Sequence, residues 1–269
     1  MLRDRSLQLL MLCSAVVLVG CAAVENRLVY LPARSTELGA LPAPLEDIAL
    51  QLADGTKIHA RWSPNPQATG VILFCHGNAG NLEQRRPIVK ELYESLNESV
   101  LIFDYPGYGR SEGSPSEAGC YASGQAAYDW LVRVKTIPPG RIILFGESIG
   151  GGVAVDLASR QPHRALVLVR TFTSLPEVAE DQFPLLPGDL VVSNRFDSLK
   201  KLPLCKQPAF IAQADLDRMI PFRQGKRLLD ACGGPAEFCR LKNMGHNDPL
   251  PDDFYAALRR FLAKAPPSA

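Results

Sequence analysis

Neither sign of charge prevails in this chain of 269 residues: 29 lysines and arginines stand against 28 aspartates and glutamates. Binding to nucleic acid needs a basic surplus on one face, so no nucleic-acid partner is expected. Histidine is scarce, with four in all, and the seven cysteines fall at spacings that match no zinc-ligand pattern. There is no G-x-G-x-x-G fingerprint and no phosphate-loop lysine. No repeat of fixed period occurs, and the only biased stretch is the proline-rich LPARSTELGALPAPLE from Leu31 to Glu46. A nucleotide site, a metal centre and a repeat architecture are thereby set aside, and no cofactor or metal is expected. What is present is apolar material, 46% of residues, enough for one sizeable α/β body.

The front end is different from that body. MLRDRSLQLLMLCSAVVLVGC places Arg3 and Arg5 ahead of an apolar run from Leu7 to Gly20. A charged stretch followed by a short apolar one is the pattern of a secretory leader, and the run is too short to cross about 30 Å of hydrocarbon comfortably. The ending LVGC, Leu18 to Cys21, resembles the bacterial lipobox. That resemblance implies a leader over residues 1–20, a mature chain starting at a lipidated Cys21, and membrane partnership through the acyl chains. Ala22 stands where an aspartate would signal inner-membrane retention, so the resemblance favours an outer-membrane location facing the periplasm. Residues 21–45 read as a proline-rich lead-in, a spacer between lipid and body, although LVYLP has the character of an edge segment. In an oxidising compartment Cys232 and Cys239 either bridge across the turn containing GGP or remain small buried hydrophobes.

From Glu46 onward strand and helix signals alternate. EDIALQL and TKIHARW flank Asp54-Gly55, a hairpin turn pair. The runs GVILFC, SVLIFD, RIILFG, ALVLV, PAFIAQ and, more weakly, EFCRL are continuously apolar, which suits strands buried on both faces. Helical patterns fill the gaps, as in LEQRRPIVKELYESL and PDDFYAALRRFLA. A hairpin followed by strand–helix repeats predicts a mostly parallel sheet with helices on both faces.

Into this pattern falls RIILFGESIGGGV, a buried strand that runs into a serine fenced by glycines. G-x-S-x-G between a strand and a helix predicts a sharp turn that lifts the Ser148 hydroxyl above the carboxyl edge of the sheet. Such a hydroxyl needs a base, itself oriented by a carboxylate. Of the four histidines only His163 and His246 follow Ser148, and His163 sits at the far end of the helix that starts there. His246 lies between the last strand and the last helix, at the carboxyl edge, and is the expected base. The acid falls after PAFIAQ, where ADLDRMIP offers Asp215 and Asp217.

The blocks HGNAGN (His76 to Asn81), DYPGYGRSEGSPSE (Asp104 to Glu117), GESIGGG and GHND resemble the compact abhydrolase group of the α/β-hydrolase superfamily, over about residues 46–265. The resemblance implies an α/β-hydrolase fold with a small cap. It implies a serine hydrolase cleaving carboxylic esters or thioesters through Ser148, His246 and an aspartate. The family's acid motif, commonly HGxxDxxIP, aligns with QADLDRMIP and favours Asp217, although its His-Gly is replaced here by Gln213-Ala214. It also implies that the backbone N–H groups of Asn78 and Ile149 form the oxyanion site, that His76 braces the loop, and that Tyr105 and Tyr108 wall the site or pack in the core. Phe172, Phe183, Leu185, Leu186 and Leu190 are expected either to line a shallow open cleft or to seal the core. A serine aminopeptidase and a non-catalytic envelope binding protein on the same scaffold are the alternatives.

Overall fold

The computed structural model describes residues 25–26, 29–34, 46–185 and 187–268, so the leader, Cys21 and Leu186 lie outside the described residues. Among the described residues eight strands form one sheet: β1 Glu46–Gln51, β2 Lys57–Ser63, β3 Val71–Cys75, β4 Ser99–Phe103, β5 Ile142–Glu147, β6 Ala165–Val169, β7 Ala209–Ala214 and β8 Ala236–Leu241. Their spatial order is β1-β2-β4-β3-β5-β6-β7-β8. β1 pairs antiparallel with β2, and β2 antiparallel with β4; every other pairing is parallel. The Asp54-Gly55 turn closes the first hairpin, with Gly55 at φ 89°.

Each central strand is buried end to end and divides its side chains between two cores. On β3, Val71, Leu73 and Cys75 face one core while Ile72 and Phe74 face the other. This period-two division explains why the runs carry no polar alternation. The first core is covered by helices α2 (Glu117–Asp129), α3 (Ile149–Ala158) and α7 (Phe222–Asp230). The second is covered by α1 (Arg86–Leu96) and α8 (Asp252–Lys264). Pro87 sits in the first turn of α1, where its missing N–H costs nothing, and the preceding Leu82–Arg85 winds as a separate 3₁₀ turn.

Between β6 and β7 lies a small cap of three short helices, α4 Leu175–Gln182, α5 Gly188–Val191 and α6 Ser198–Lys201. Ser174 caps α4 by accepting the Glu177 N–H. The proline-rich lead-in behaves differently from a spacer where it is described. Residues 29–33 lie against the loop after β3: Gly80 N–H donates to Leu31 O and Ala33 N–H to Gly80 O, at 3.0 and 2.9 Å. Tyr30 is buried in the first core and its hydroxyl donates to Asn194 Oδ1 in the cap, at 2.8 Å. This strap spans from the loop after β3 to the cap, in keeping with the edge character of LVYLP.

Candidate active site

The parallel strands deliver four loops to one edge of the sheet, and a cavity of about 260 Å³ opens there. Ser148 stands at the junction of β5 and α3 with φ 51° and ψ −121°, a conformation rarely adopted by a residue with a side chain. The turn is tight enough to exclude side chains beside it. A Cβ at Gly150 would fall 2.0 Å from Cys75 O, and one at Gly146 would fall 2.5 Å from Gly150 O. The glycines flanking the serine are therefore required by close backbone approach. The strain at Ser148 is held by the Val169 carbonyl, which accepts its N–H at 3.0 Å, and by Thr171 Oγ1, which donates to Ser148 O at 2.6 Å.

His246 comes from the loop after β8. Its Nε2 lies 3.1 Å from Ser148 Oγ, and its Nδ1 lies 2.7 Å from Asp217 Oδ2. A carboxylate only accepts, so Nδ1 carries the proton and Nε2 is left to accept from the serine hydroxyl. Asp217 is buried, and its second oxygen accepts the N–H groups of Met219 and Ile220 at 2.9 and 2.8 Å. Asp215 turns away to Arg240, at 2.9 Å. The structure thus brings Ser148, His246 and Asp217 together and leaves Asp215 out. The loops after β7 and β8 are joined by their own backbones, with Leu216 N–H donating to Met244 O at 3.0 Å. His163 is buried elsewhere, hydrogen-bonded to Gln161 O.

The loop after β3 passes beside the serine: a Cβ at Gly77 would sit 3.4 Å from Ser148 Cβ. One guanidinium nitrogen of Arg85 donates to three successive carbonyls of that loop, those of Asn78, Ala79 and Gly77, at 2.8, 3.0 and 3.3 Å. With its carbonyls engaged on that side, none of the backbone hydrogen bonds among the described residues uses the Asn78 N–H. Ile149 is the first residue of α3, so its N–H has no partner within the helix. The Asn78 side chain is occupied as well. Its Oδ1 accepts from Leu31 N–H and Tyr108 Oη, and its Nδ2 donates to Val29 O.

Tyr105 and Tyr108 do not wall the cavity: both are fully buried. They pack against the His76 ring with centroids 4.5 and 5.8 Å away, and Tyr105 Oη donates to His76 O at 2.7 Å. Beneath them Asp104 accepts the Leu82 N–H at 2.8 Å and lies 3.4 Å from His76 Nε2. Burial alone would raise the Asp104 carboxyl, but the imidazoles of His59 and His76 and this N–H hold it below the usual carboxylate range. Phe172 seals the core, whereas Phe183, Leu185 and Leu190 do neither of the expected things and stand exposed. All five described cysteines are free, and burial raises the pKa of each thiol, so no thiolate competes with Ser148.

Five further residues line the cavity: Leu31, Arg85, Glu147, Met219 and Asn247. Glu147 and Asn247 are sequence neighbours of Ser148 and His246 and were traceable from them. Leu31 and Arg85 carried no local signal, because an arginine in a polar helical stretch reads as a solvated face. A second cavity of about 370 Å³ shares Arg85, Glu147 and Asn247 with the first and adds Glu91, Asp248 and Asp252 to its lining. In the lining of the second, Arg170 pairs with Glu147 at 3.0 Å and donates to Asp248 O, which ties the end of β5 to the loop after β8. No group of histidines, cysteines and carboxylates among the described residues fits a metal ion.

A sheet of this order, with a serine on a strained strand-to-helix turn and a histidine on the last loop, defines the α/β-hydrolase fold. Residues 70–191 match the family model described as alpha/beta hydrolase fold. The chain is 35% identical over 248 residues to an uncharacterized protein of Mycobacterium tuberculosis, covering 89% of this chain and 88% of that one. It is 34% identical over 233 residues to the alpha/beta hydrolase domain-containing protein WAV2 of Arabidopsis thaliana, covering 77% and 76%. Among solved structures, the Pyrococcus furiosus esterase Pf2001 superposes with TM-score 0.73 at 19% identity, over 87% of this chain and 99% of the esterase. The chain belongs to the alpha/beta hydrolase domain-containing proteins.

Proposed function

We propose that the protein is a serine hydrolase that cleaves carboxylic ester or thioester bonds through an acyl-enzyme. Ser148 Oγ attacks the acyl carbonyl as its proton passes to His246 Nε2, and the imidazolium so formed is held by Asp217. The oxygen that gains charge is met by the Asn78 and Ile149 N–H groups, donors fixed before the reaction begins. His246 then returns the proton to the departing alkoxide or thiolate, and water, deprotonated in turn by His246, releases the acid. The observation that carries this reading is the chain of contacts from Ser148 through His246 to Asp217, 3.1 and 2.7 Å long, at the mouth of a cavity. A fluorophosphonate probe should label the wild type and not Ser148→Ala; equal labelling of both would overturn the assignment.

The second cavity favours one alternative substrate class. Four carboxylates, Glu91, Glu147, Asp248 and Asp252, line it against two arginines, and an amine held there would present its amide to Ser148. Hydrolysis of aminoacyl anilides well above p-nitrophenyl esters would select this aminopeptidase reading. We place the protein in a bacterial cell envelope, held to the membrane by lipid on Cys21, probed by release of Cys21→Ser from the membrane fraction. No helix among the described residues is long and apolar enough to cross a membrane.

A further inference from the structure

Nine large apolar side chains stand exposed among the described residues, and they are unevenly placed. Two of them, Val134 and Leu204, precede β5 and β7 and so lie at the amino edge of the sheet. The other seven belong to the carboxyl edge. Leu31 is on the strap, Phe183, Leu185, Leu190 and Val191 are in the cap, and Leu216 and Met219 are on the loop after β7. Leu185 is 99% exposed and Leu190 84%. Two seams join the three segments. Gln182 Nε2 donates to Arg218 O and Met219 O, at 2.7 and 3.1 Å, which binds cap to acid loop. Glu25 accepts from the backbone of Ser193 and Asn194, at 2.9 and 2.7 Å, which binds strap to cap. Leu31 and Met219 also line the catalytic cavity, so the apolar surface is the rim of its mouth.

An exposed patch of this kind needs an occupant, and the course of the chain names one. Glu25 is pinned to Ser193 and Asn194, two and three residues beyond the exposed Val191. Cys21 precedes Glu25 by four residues, a reach of at most about 14 Å when fully extended. The polar layer of a bilayer is about 5–8 Å deep on each side of the hydrocarbon, so an acyl group on Cys21 holds this rim at the membrane surface. The apolar run Leu7 to Gly20 ends at the same point of the sequence and would impose the same orientation.

We infer that the rim formed by the strap, the cap and the loop after β7 is a docking surface for a phospholipid bilayer. Leu185 and Leu190 enter the boundary between headgroup and acyl chain, and the catalytic mouth opens onto the membrane. This rests on the anchored part of the proposed function and extends it: the acyl group presented to Ser148 arrives from within the lipid plane.

The test uses the full chain reconstituted in phosphatidylethanolamine–phosphatidylglycerol vesicles whose acyl chains are brominated. Apolar residues at such a boundary sit about 5–10 Å deep. Relative to wild type, the fluorescence added by Leu185→Trp should therefore shift to the blue and be quenched by bromine, while that added by Leu204→Trp at the opposite edge should not. Leu185→Asp/Leu190→Asp should lose hydrolysis of long-chain esters held in the vesicles and keep hydrolysis of a short water-soluble ester. If the chain sediments with vesicles but Leu185→Trp is not quenched, or is quenched no more than Leu204→Trp, the docking face is overturned and the anchor stands. A chain that does not sediment with vesicles overturns the anchor and the docking face together. Full quenching with no hydrolysis of either ester supports the surface and counts against the hydrolase reading alone.

Discussion

Strand β6 carries a buried arginine at each end, and the two are kept very differently. Arg164, just before the strand, has a partner for each guanidinium nitrogen: Nε donates to Ala265 O, Nη2 to Leu262 O and Nη1 to Glu98 Oε1, at 2.7, 2.9 and 3.0 Å. Glu98 is engaged in turn by Gly70 N–H and Thr69 Oγ1. Arg170, just after the strand, also holds a glutamate, but its backbone sits at φ 48° and its buried Nε has no hydrogen-bond partner among the described residues. The amino edge is built for stability, with every polar atom of the pair satisfied. The carboxyl edge keeps strained backbone at Arg170, Ser148 and Ala79 and a charge pair bordering two cavities. Positive φ also occurs at the amino edge, at Asn97 and Thr136, so it is a strained serine close to a buried arginine with an unpartnered nitrogen, rather than strain alone, that marks the edge where chemistry is expected.

Substitutions at the two edges should therefore separate activity from stability. The largest effect is expected at Ser148→Ala and His246→Gln, each lowering kcat by roughly 10⁴–10⁶-fold, with melting temperatures near wild type by differential scanning fluorimetry. Asp217→Asn should cost roughly 10⁴-fold in kcat because the imidazole loses its tautomer and orientation, whereas Asp215→Asn should stay within severalfold; a reversal would move the acid to Asp215. At the amino edge, Arg164→Ala leaves Glu98 buried and uncompensated and should lose about 3–5 kcal/mol in urea unfolding, with kcat per folded molecule unchanged. Arg170→Met, whose partner Glu147 borders water-accessible cavities, should lose about 1–2 kcal/mol and roughly tenfold or more in kcat. Loss of stability alone there would erase the distinction between the edges.

The smallest effect concerns Asp104. Its carboxyl is depressed in the folded state, so its stabilisation is present in full above the ordinary carboxylate pKa of about 3.9 and is lost as pH falls through the lower folded value. Asp104→Asn should lower the melting temperature at neutral pH by a margin that shrinks below about pH 4. A margin independent of pH would mean that packing, not charge, is what the residue supplies.

The framework of this molecule was legible wherever one residue type admitted one physical use. Continuous apolar runs required strands buried on both faces, and GESIG between a strand and a helix required a turn with no room for side chains. Scarcity helped as well, since four histidines left His246 alone at the right place in the chain. That Asp217 rather than Asp215 meets His246 was legible only with the family pattern, because Asp215 is two residues away and nothing local shows that Arg240 takes it. The strap was legible only in part: LVYLP has the character of an edge segment, but nothing in it shows what it touches. Leu31 touches Asn78 and Tyr30 touches Asn194 across 47 and 164 residues, and no periodic pattern encodes contacts at such separations. The cap was misjudged for a related reason: Phe183, Leu185 and Leu190 read as core or lining, and only coordinates show apolar side chains turned outward.

The three carbonyls gripped by Arg85 and the strap lying against Gly80 together mean that the loop after β3 is not self-supporting. Its shape is borrowed from a segment some fifty residues upstream, which is itself fastened at Glu25 to a point 169 residues downstream. A protease that clipped between Arg34 and Glu46 could leave the sheet standing, yet the loop beside Ser148 would then depend on a peptide held only by its own affinity. Integrity of the leading segment and the shape of the surroundings of Ser148 are one property in this protein.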